Sequence, residues 1–395
     1  MEKRIAVVGG GISGLSLAHY CATSGFSVVL IDKHSLGGCL KSIELGKGGY
    51  IEMGGHTLTH SYGTVIEILE HYGKEDQLVP IPNLKFEVFN GHEFSSILSR
   101  LRIFSLLFSL PNLFFKSKNG KSIKEYYSKV IGGGNYTNLF RHLFNAILCQ
   151  NADNFPAELL FKKRRKNRSY PKKFVLKKGI QQLFDIVGGN PNIEVIENSA
   201  ISSISFNLGQ FQVRNGENMV AQAPFLALAC PPSIAAKLLK SQFPKLSNLL
   251  GTIPHATVTS VLVEILDEKS MENRQRSILG VNSNFYSARL IKKGLKSYWC
   301  FYFNSETIFE SAEKKQIGRI FGVDEDKVLV VKRAQFQLPK LTVPDLKTIA
   351  GIESELQGNN LCIASNYMEG LAIEDCALRG KREAQRLLVR HGNST

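Results

Sequence analysis

The sequence predicts an α/β protein in which a domain built on a parallel sheet is interleaved with a second, β-rich domain of the α+β type. A fully apolar run at residues 5–8 leads directly into a glycine-rich turn, as a central parallel strand does. Similar strand and helix patterns return near residue 180 and near residue 361. At 395 residues the chain also exceeds the length at which one hydrophobic core usually keeps growing, so two domains are expected.

The first elements have the order strand, turn, helix, strand. Residues 15–24 carry a helical pattern that ends at Gly25, and residues 27–31 form a second apolar strand that ends at Asp32. After about residue 90 the pattern changes to aromatic and basic segments without this repetition. A helix at 179–187 and strands at 193–196, 200–206, 210–213 and 224–229 then follow.

The remaining chain predicts a second β-rich region and a return to the first domain. Its strands are expected at 258–265, 297–303 and 328–334, followed by a buried strand at 361–364 and a helix at 371–389. We therefore assign residues 1–85, 175–235 and 355–395 to the first domain and residues 86–174 and 236–354 to a substrate-binding domain.

Three glycines in the first turn fit the spacing G-x-G-x-x-G. Gly9 permits a tight turn, and Gly11 removes a side chain where the backbone must approach a pyrophosphate. Gly14 lets the helix pack on the sheet, while the N–H groups and dipole of that helix face the phosphates. Because a strand precedes the motif and a helix follows it, the sequence predicts a Rossmann-like dinucleotide-binding domain.

Asp32 indicates which nucleotide the domain prefers. It lies eighteen residues beyond Gly14, at the end of the second strand, where a carboxylate accepts hydrogen bonds from ribose hydroxyls. A carboxylate at this place repels a 2′-phosphate, so the sequence argues against NADP.

Two further segments resemble the flavin amine oxidase and protoporphyrinogen oxidase superfamily. Gly37-Gly38 follows the acid, and residues 52–57 read Glu-Met-Gly-Gly-His-Thr, like the second acidic and glycine-rich segment of that family. The chain departs from the family pattern in two places: Cys39 replaces the usual arginine, and one residue fewer separates the acid from the glycine pair.

The middle and the end of the chain extend this resemblance. Residues 178–183, the Ile201-x-x-Ile204 segment and the strand at 225–232 each match the family loosely. Residues 361–380 resemble the protoporphyrinogen oxidase ending, in which Gly370 is expected to start a helix whose positive end points at the flavin pyrimidine. Asn366 would contact the ribityl–phosphate region.

The resemblance implies a Rossmann-like FAD-binding domain of the glutathione reductase type, with FAD as the cofactor. It implies no metal site, and no catalytic acid or base can be assigned from the residues. The residues expected to hold FAD are Gly9, Gly11, Ser13, Gly14, Asp32, Lys33, Gly37, Gly38, Gly54, Gly55, His56, Thr57, Ile201, Asn366, Gly370 and Leu371.

The implied activity is that of a protoporphyrinogen or coproporphyrinogen oxidase-like enzyme of porphyrin biosynthesis. Such an enzyme removes hydride from a small-molecule substrate to flavin N5, and oxygen or a quinone accepts the electrons. The alternatives are an amine oxidase, a carotenoid-type desaturase, a flavin isomerase of the UDP-galactopyranose mutase type, and a non-catalytic FAD-binding protein.

The formal net charge of +15 raises the question of a polyanionic partner. Eight basic residues lie within 162–173, but no nucleic-acid-binding module accompanies them, so no nucleic-acid partner is expected. This segment is expected to be a solvated loop, with anionic lipid or an anionic substrate as the alternative partner. The seven cysteines are scattered without a Cys-x-x-Cys pair, which favours a reducing cytoplasm over a disulfide or zinc framework.

Residues 103–115 come closest to the composition of a membrane helix. They are too few to span a bilayer, and the sequence favours a buried helix of the second domain. The alternative is peripheral contact with the inner face of a membrane through 103–115 and 162–173, because basic residues flank the apolar segment.

Overall fold

The computed structural model describes residues 2–46, 49–82, 85–266, 277–293, 296–304 and 310–393. Within these ranges the strands are β1 (Arg4–Val8), β2 (Ser27–Ile31), β3 (Ser42–Glu44), β4 (Tyr50–Glu52), β5 (Leu58–Thr59), β6 (Leu78–Pro80), β7 (Phe86–Phe89), β8 (Phe94–Ser96), β9 (Lys173–Leu176), β10 (Ile193–Ile196), β11 (Ser203–Asn207), β12 (Gln210–Asn215), β13 (Asn218–Ala223), β14 (Phe225–Leu228), β15 (His255–Ile265), β16 (Ser277–Gly280), β17 (Phe285–Lys293), β18 (Lys296–Asn304), β19 (Val328–Pro339) and β20 (Leu361–Ile363).

The helices alternate with these strands mainly in the first and last parts of the chain. They are α1 (Ile12–Thr23), α2 (Gly63–His71), α3 (Ile103–Ser109), α4 (Asn112–Phe115), α5 (Ile123–Ile131), α6 (Gly133–Asn135), α7 (Arg141–Leu148), α8 (Gln182–Gly188), α9 (Pro232–Leu239), α10 (Pro244–Gly251), α11 (Glu310–Phe321), α12 (Asp345–Leu356), α13 (Asn366–Glu369) and α14 (Ile373–Asn393).

The chain forms two compact units. The first consists of Met1–Ile81, Lys162–Pro254 and Pro344–Thr395, and the second of Pro82–Phe161 and His255–Val343. The sequence prediction had assigned 162–174, 236–254 and 344–354 to the second domain. They belong to the first unit because β9 pairs with β5 and β6 there, and because α10 packs against α9 and α12.

A five-stranded parallel sheet forms the centre of the first unit, with the strand order β10-β2-β1-β14-β20. Ile5, Val7, Val28 and Leu30 are fully buried, as expected for strands that are covered on both faces. The order places β1 between β2 and β14, so the turn after β1 lies among the carboxyl ends of three parallel strands. Ligands of open α/β sheets bind at this edge.

The second unit is built on a seven-stranded sheet with the order β19-β15-β18-β17-β16-β7-β8. Trp299, Phe301 and Phe303 alternate along β18 and are fully buried, and Trp299 packs against Phe321 of α11. These rings form the core of the sheet-rich unit.

Helices α3 and α4 differ from the sequence prediction of a buried apolar helix. Phe104 and Phe108 of α3 are 79% and 85% exposed, and Phe114 and Phe115 of α4 are 84% and 82% exposed. The prediction of burial was therefore wrong. Across the described ranges, no helix combines the length and the apolar composition that crossing a bilayer requires.

Candidate functional site

The glycine turn after β1 is held tightly between its neighbours. Gly9 donates its N–H to Ile31 O of β2 at 2.8 Å and has φ +116°, a conformation that favours glycine. A Cβ at Gly9 would lie 2.5 Å from Ala229 O, just after β14, and a Cβ at Gly14 would collide with Gly9 O. Gly9 and Gly14 are therefore required by the fold itself.

Gly11 differs from the other two glycines because its missing side chain opens onto free space. A Cβ at Gly11 would meet no atom within 4 Å beyond its chain neighbours, and Gly11 has an ordinary φ of −81°. It precedes α1, whose first turn has no acidic residue and no side-chain cap. Uncapped N–H groups at a helix N-terminus attract an anion, so this end of α1 fits a phosphate.

A second glycine loop lies directly over the first. Gly37 donates its N–H to Gly10 O at 2.9 Å, and both Gly37 and Gly38 have positive φ. A Cβ at Gly38 would lie 3.1 Å from the Cα of Gly11. The two loops therefore form a bare-backbone cradle at the N-terminus of α1.

Asp32 follows β2 and faces the first glycine turn. Its Oδ2 accepts a hydrogen bond from Gly10 N at 2.6 Å, and its Oδ1 accepts one from His34 N at 2.8 Å. A carboxylate oxygen has more than one acceptor site, so Asp32 can hold the turn and still accept from a hydroxyl. Lys33, the next residue, is exposed.

The third predicted segment, residues 54–57, adjoins the second loop. Gly55 donates its N–H to Cys39 O at 3.0 Å, and a Cβ at Gly55 would collide with the side chain of Leu40. The His56 ring nitrogen Nδ1 lies 2.9 Å from Thr57 Oγ1, so these neighbours share a hydrogen bond. This segment is therefore continuous with the cradle through backbone contacts.

A buried carboxylate, which the sequence analysis placed in the second acidic segment but not among the FAD-binding residues, ties these loops together. Glu52 is 3% exposed and accepts hydrogen bonds from Ser42 Oγ and from Ile180 N, both at 2.7 Å. Ser42 Oγ also accepts from Gln181 N, and the Gln181 side chain donates to Leu36 O at 2.9 Å. The signal in the sequence was an acid directly after the apolar strand at 50–51.

The C-terminal segment reaches the same edge of the sheet. Ser365 Oγ donates to Cys230 O at 3.3 Å and lies 3.5 Å from Asn366 Oδ1, which places Asn366 beside the end of β14. Gly370 has φ +127° and ends α13, and α14 begins only at Ile373. The expectation that Gly370 starts the long helix was wrong, because Gly370 and Leu371 form the connection before it.

The first turn of α14 approaches both the third loop and α1. A Cβ at Gly55 would lie 3.3 Å from Ile373 Cδ1, and Ser16 Oγ of α1 donates a hydrogen bond to Ala377 O of α14 at 2.7 Å. Burial raises the pKa of Cys376 to about 12 and that of Cys39 to about 11. Both thiols are therefore protonated near neutral pH and act as small neutral groups rather than nucleophiles.

Two acidic residues in the first turn of α14 have partners. Glu374 accepts from the backbone N–H groups of Thr64 at 2.8 Å and Val65 at 3.3 Å, and burial raises its pKa. Asp375, 2% exposed, pairs with Arg164 at 2.7 Å and Lys162 at 3.6 Å. Two cations of the basic segment are thus held by this helix end.

The sixteen residues that were predicted to contact FAD fall into two groups according to their place in the structure. Fourteen lie in the glycine turn, its flanking loops or the segment before α14. Ile201 lies two residues before β11 and outside that strand, and Lys33 is exposed next to Asp32.

Comparison with known proteins agrees with this geometry. Residues 7–72, which contain the first glycine turn and Asp32, match the model of the NAD(P)-binding Rossmann-like domain. No curated protein sequence matches the chain.

Solved structures resemble the chain over nearly its whole length. A candidate protoporphyrinogen oxidase from Exiguobacterium sp. 255-15 has a TM-score of 0.77 at 16% identity, covering 99% of each chain. A CLA-producing fatty acid isomerase from P. acnes has a TM-score of 0.75 at 16% identity, covering 97% of this chain and 98% of its own. Cyclohexylamine oxidase from Brevibacterium oxydans IH-35A has a TM-score of 0.70 at 12% identity, covering 99% and 100%. The predicted fold is therefore confirmed: the chain has the α/β fold of FAD-dependent oxidoreductases, with a Rossmann-like domain and a sheet-rich second domain.

Proposed function

We propose that this chain binds FAD and acts as an FAD-dependent oxidoreductase. The observation that carries the proposal is the cradle formed by Gly11 and Gly38 at the uncapped N-terminus of α1, joined through the hydrogen bond from Gly37 N to Gly10 O. Bare backbone, free N–H groups and the positive helix end together suit a diphosphate.

The residues around the cradle suit the rest of the nucleotide. Asp32 would accept hydrogen bonds from the ribose hydroxyls, which favours FAD over a cofactor with a 2′-phosphate. The N-terminal end of α14 offers backbone N–H groups near Gly370, because the carboxylates of Glu374 and Asp375 are turned to other partners. When bound, FAD supplies the acceptor for a hydride taken from substrate carbon, and the protein supplies position and field.

Cys39 and Cys376 affect the charge beside the cradle. Their raised pKa values keep both thiols neutral, so they add no negative charge beside the cradle. A neutral Cys39 also adds no positive charge where the related family carries arginine. We therefore expect the phosphate charge to be balanced mainly by backbone N–H groups and the α1 dipole.

For the substrate we propose a porphyrinogen, oxidised with oxygen or a quinone as the electron acceptor. The similarity to the Exiguobacterium structure and the net charge of +15, which suits a substrate with carboxylates, support this choice. A second candidate is an unsaturated fatty acid that is isomerised, because the P. acnes isomerase is similar to a comparable degree. Both candidates carry a carboxylate on an apolar body.

Purification and an absorption spectrum test the cofactor, and anaerobic mixing with a panel of substrates tests the chemistry. Flavin bleaching by protoporphyrinogen or coproporphyrinogen, with oxygen uptake after readmission of air, would support the porphyrinogen proposal. Appearance of conjugated double bonds in an unsaturated fatty acid without lasting bleaching would support the isomerase. Bleaching by cyclohexylamine alone would replace both with an amine oxidase. A colourless protein that takes up no FAD on reconstitution would refute the proposal as a whole.

A further inference from the structure

Helices α3 and α4 of the second unit expose an apolar surface. Its members, which we call the α3–α4 surface, are Ile103, Phe104, Leu107, Phe108, Leu113, Phe114 and Phe115. The least exposed of these side chains is still 49% exposed. Soluble proteins rarely display so many large apolar side chains on two short consecutive helices, and such patches mark an interaction site.

The packing of α3 directs its apolar side chains outward. On the side of α3 that faces the rest of the unit, the partly buried Ser105 and Ser109 lie against the bare backbone of Gly132. An ordinary surface helix has the reverse arrangement, with its apolar face inward. The apolar face of α3 is therefore left for a partner.

Two amide side chains fix the helices in this orientation. Asn135 is fully buried, accepts from Arg102 N at 2.7 Å and donates to Arg102 O at 3.1 Å, which clamps the residue before α3. Asn112 donates from its side chain to Lys129 O of α5 at 3.0 Å, which clamps α4. Both contacts hold the backbone while leaving the aromatic side chains in solvent.

The charge along the segment that carries the α3–α4 surface indicates the chemistry of the partner. Residues 94–124 contain no aspartate or glutamate. The same stretch contains six basic residues, which are Arg100, Arg102, Lys116, Lys118, Lys121 and Lys124. Aromatic and aliphatic side chains bordered by cations match the interface of a bilayer, where rings enter the acyl region and cations meet anionic headgroups.

We propose that the α3–α4 surface inserts into one leaflet of an anionic lipid bilayer and docks this protein on membranes. The inserted side chains supply apolar burial, and the basic residues supply attraction to the headgroups. Because both contributions act together, binding should weaken at high salt without disappearing. Docking of this kind is independent of FAD binding and of the substrate.

Vesicle flotation of the purified full chain tests the proposal. We expect wild-type protein to float with vesicles of phosphatidylcholine mixed with phosphatidylglycerol, and to float less with phosphatidylcholine alone. Replacing Phe104, Phe108, Phe114 and Phe115 with serine should lower the partition coefficient by about tenfold or more per buried ring. Leu208→Ser is the matched control, since Leu208 is 94% exposed on the first unit and should leave binding unchanged.

A fluorescent reporter gives a direct measure of insertion. The chain has one tryptophan, Trp299, which is fully buried, so Phe108→Trp adds a single exposed indole. Its emission should shift to shorter wavelength with anionic vesicles and should be quenched by lipids brominated in the acyl chain.

Three results would overturn the proposal. The first is wild-type protein that stays unbound with anionic vesicles at low salt. The second is vesicle binding that the fourfold serine variant retains. The third is a dimer that the serine variant dissociates in the absence of any vesicle binding, which would assign the surface to a second copy of the chain.

Discussion

Gly11→Ala should separate FAD binding from folding. The position has φ −81°, which alanine adopts without strain, and a Cβ there would meet no atom within 4 Å. Alanine stabilises the protein by lowering the entropy of the unfolded chain, and it destabilises the protein because it is a poorer helix N-cap than glycine. Each effect changes the free energy of unfolding by less than about 1 kcal/mol. We therefore expect the free energy of unfolding of the FAD-free protein to change by less than about 1 kcal/mol.

The same methyl group should damage the cradle. It would project into the open space beside Gly11, at the end of α1 whose uncapped N–H groups would contact a diphosphate. Losing one or two charge-assisted hydrogen bonds costs about 1.5–3 kcal/mol each. FAD affinity should therefore fall by about tenfold to more than a hundredfold.

Fluorescence titration of the FAD-free protein with FAD measures the affinity, and urea unfolding measures the stability of the same preparation. Gly251→Ala is the matched control, because a Cβ at Gly251 also meets nothing within 4 Å but lies at the end of α10. If Gly11→Ala bound FAD as tightly as wild type, the diphosphate would not lie at the cradle and the site assignment would fail.

Four further predictions follow from the same contacts. Gly14→Ala, whose methyl would collide with a backbone oxygen, should destabilise the protein by about 1–3 kcal/mol in urea unfolding. Glu52→Gln removes a buried acceptor that joins two loops, so stability should fall by about 1–3 kcal/mol and FAD affinity should fall with it. Arg164→Ala removes the closer cation beside a buried carboxylate and should cost about 2 kcal/mol, less than the ~3–5 of a fully unpaired charge. Burial lowers the pKa of His19 from 6.5 to about 4, so the unfolded chain takes up a proton first and stability should decline as the pH falls from 6.5 toward 4. His19→Gln should flatten this decline, whereas replacement of the exposed His255 should not.

Each of these predictions has an outcome that contradicts it. Wild-type stability in the Gly14 variant would mean that the turn can shift to admit a methyl group. Normal FAD affinity in a destabilised Glu52 variant would show that the carboxylate supports the fold alone. An unchanged unfolding midpoint after loss of Arg164 would mean that solvent reaches the buried carboxylate. A pH profile that His19→Gln leaves as steep as wild type would assign the decline to carboxyl groups.

The sequence predicted the first unit well because its signals are local. The glycine spacing, the apolar strand before it and the acid after the second strand all lie within 32 residues, and each has a fixed geometric purpose. The strand at 225–228 and the final strand at 361–363 were also predicted within one or two residues, since fully buried parallel strands are short and continuously apolar.

The contacts that complete the site could not be predicted from the sequence, because they join residues far apart in the chain. Glu52 and Ile180 are 128 positions apart, and nothing local distinguishes an acid that accepts buried N–H groups from one at the surface. The start of α14 at Ile373 was missed because Gly370 has a positive φ and serves the end of α13 instead. A glycine before a helical pattern can belong to either side of the boundary.

The exposed α3–α4 surface shows why burial of an apolar segment could not be predicted from its hydrophobicity. An apolar helical segment has the same composition whether it packs inside a protein or faces a lipid, so hydrophobicity alone favoured burial. The orientation of α3 is decided by its polar face, where Ser105 and Ser109 fit against Gly132. That face can pack closely only because Gly132 has no side chain, which commits the phenylalanines to the opposite side. The orientation of α3 therefore depends on two small residues of the segment and on a glycine more than twenty positions away. The sequence does not show that these residues are in contact, and only the structure reveals it.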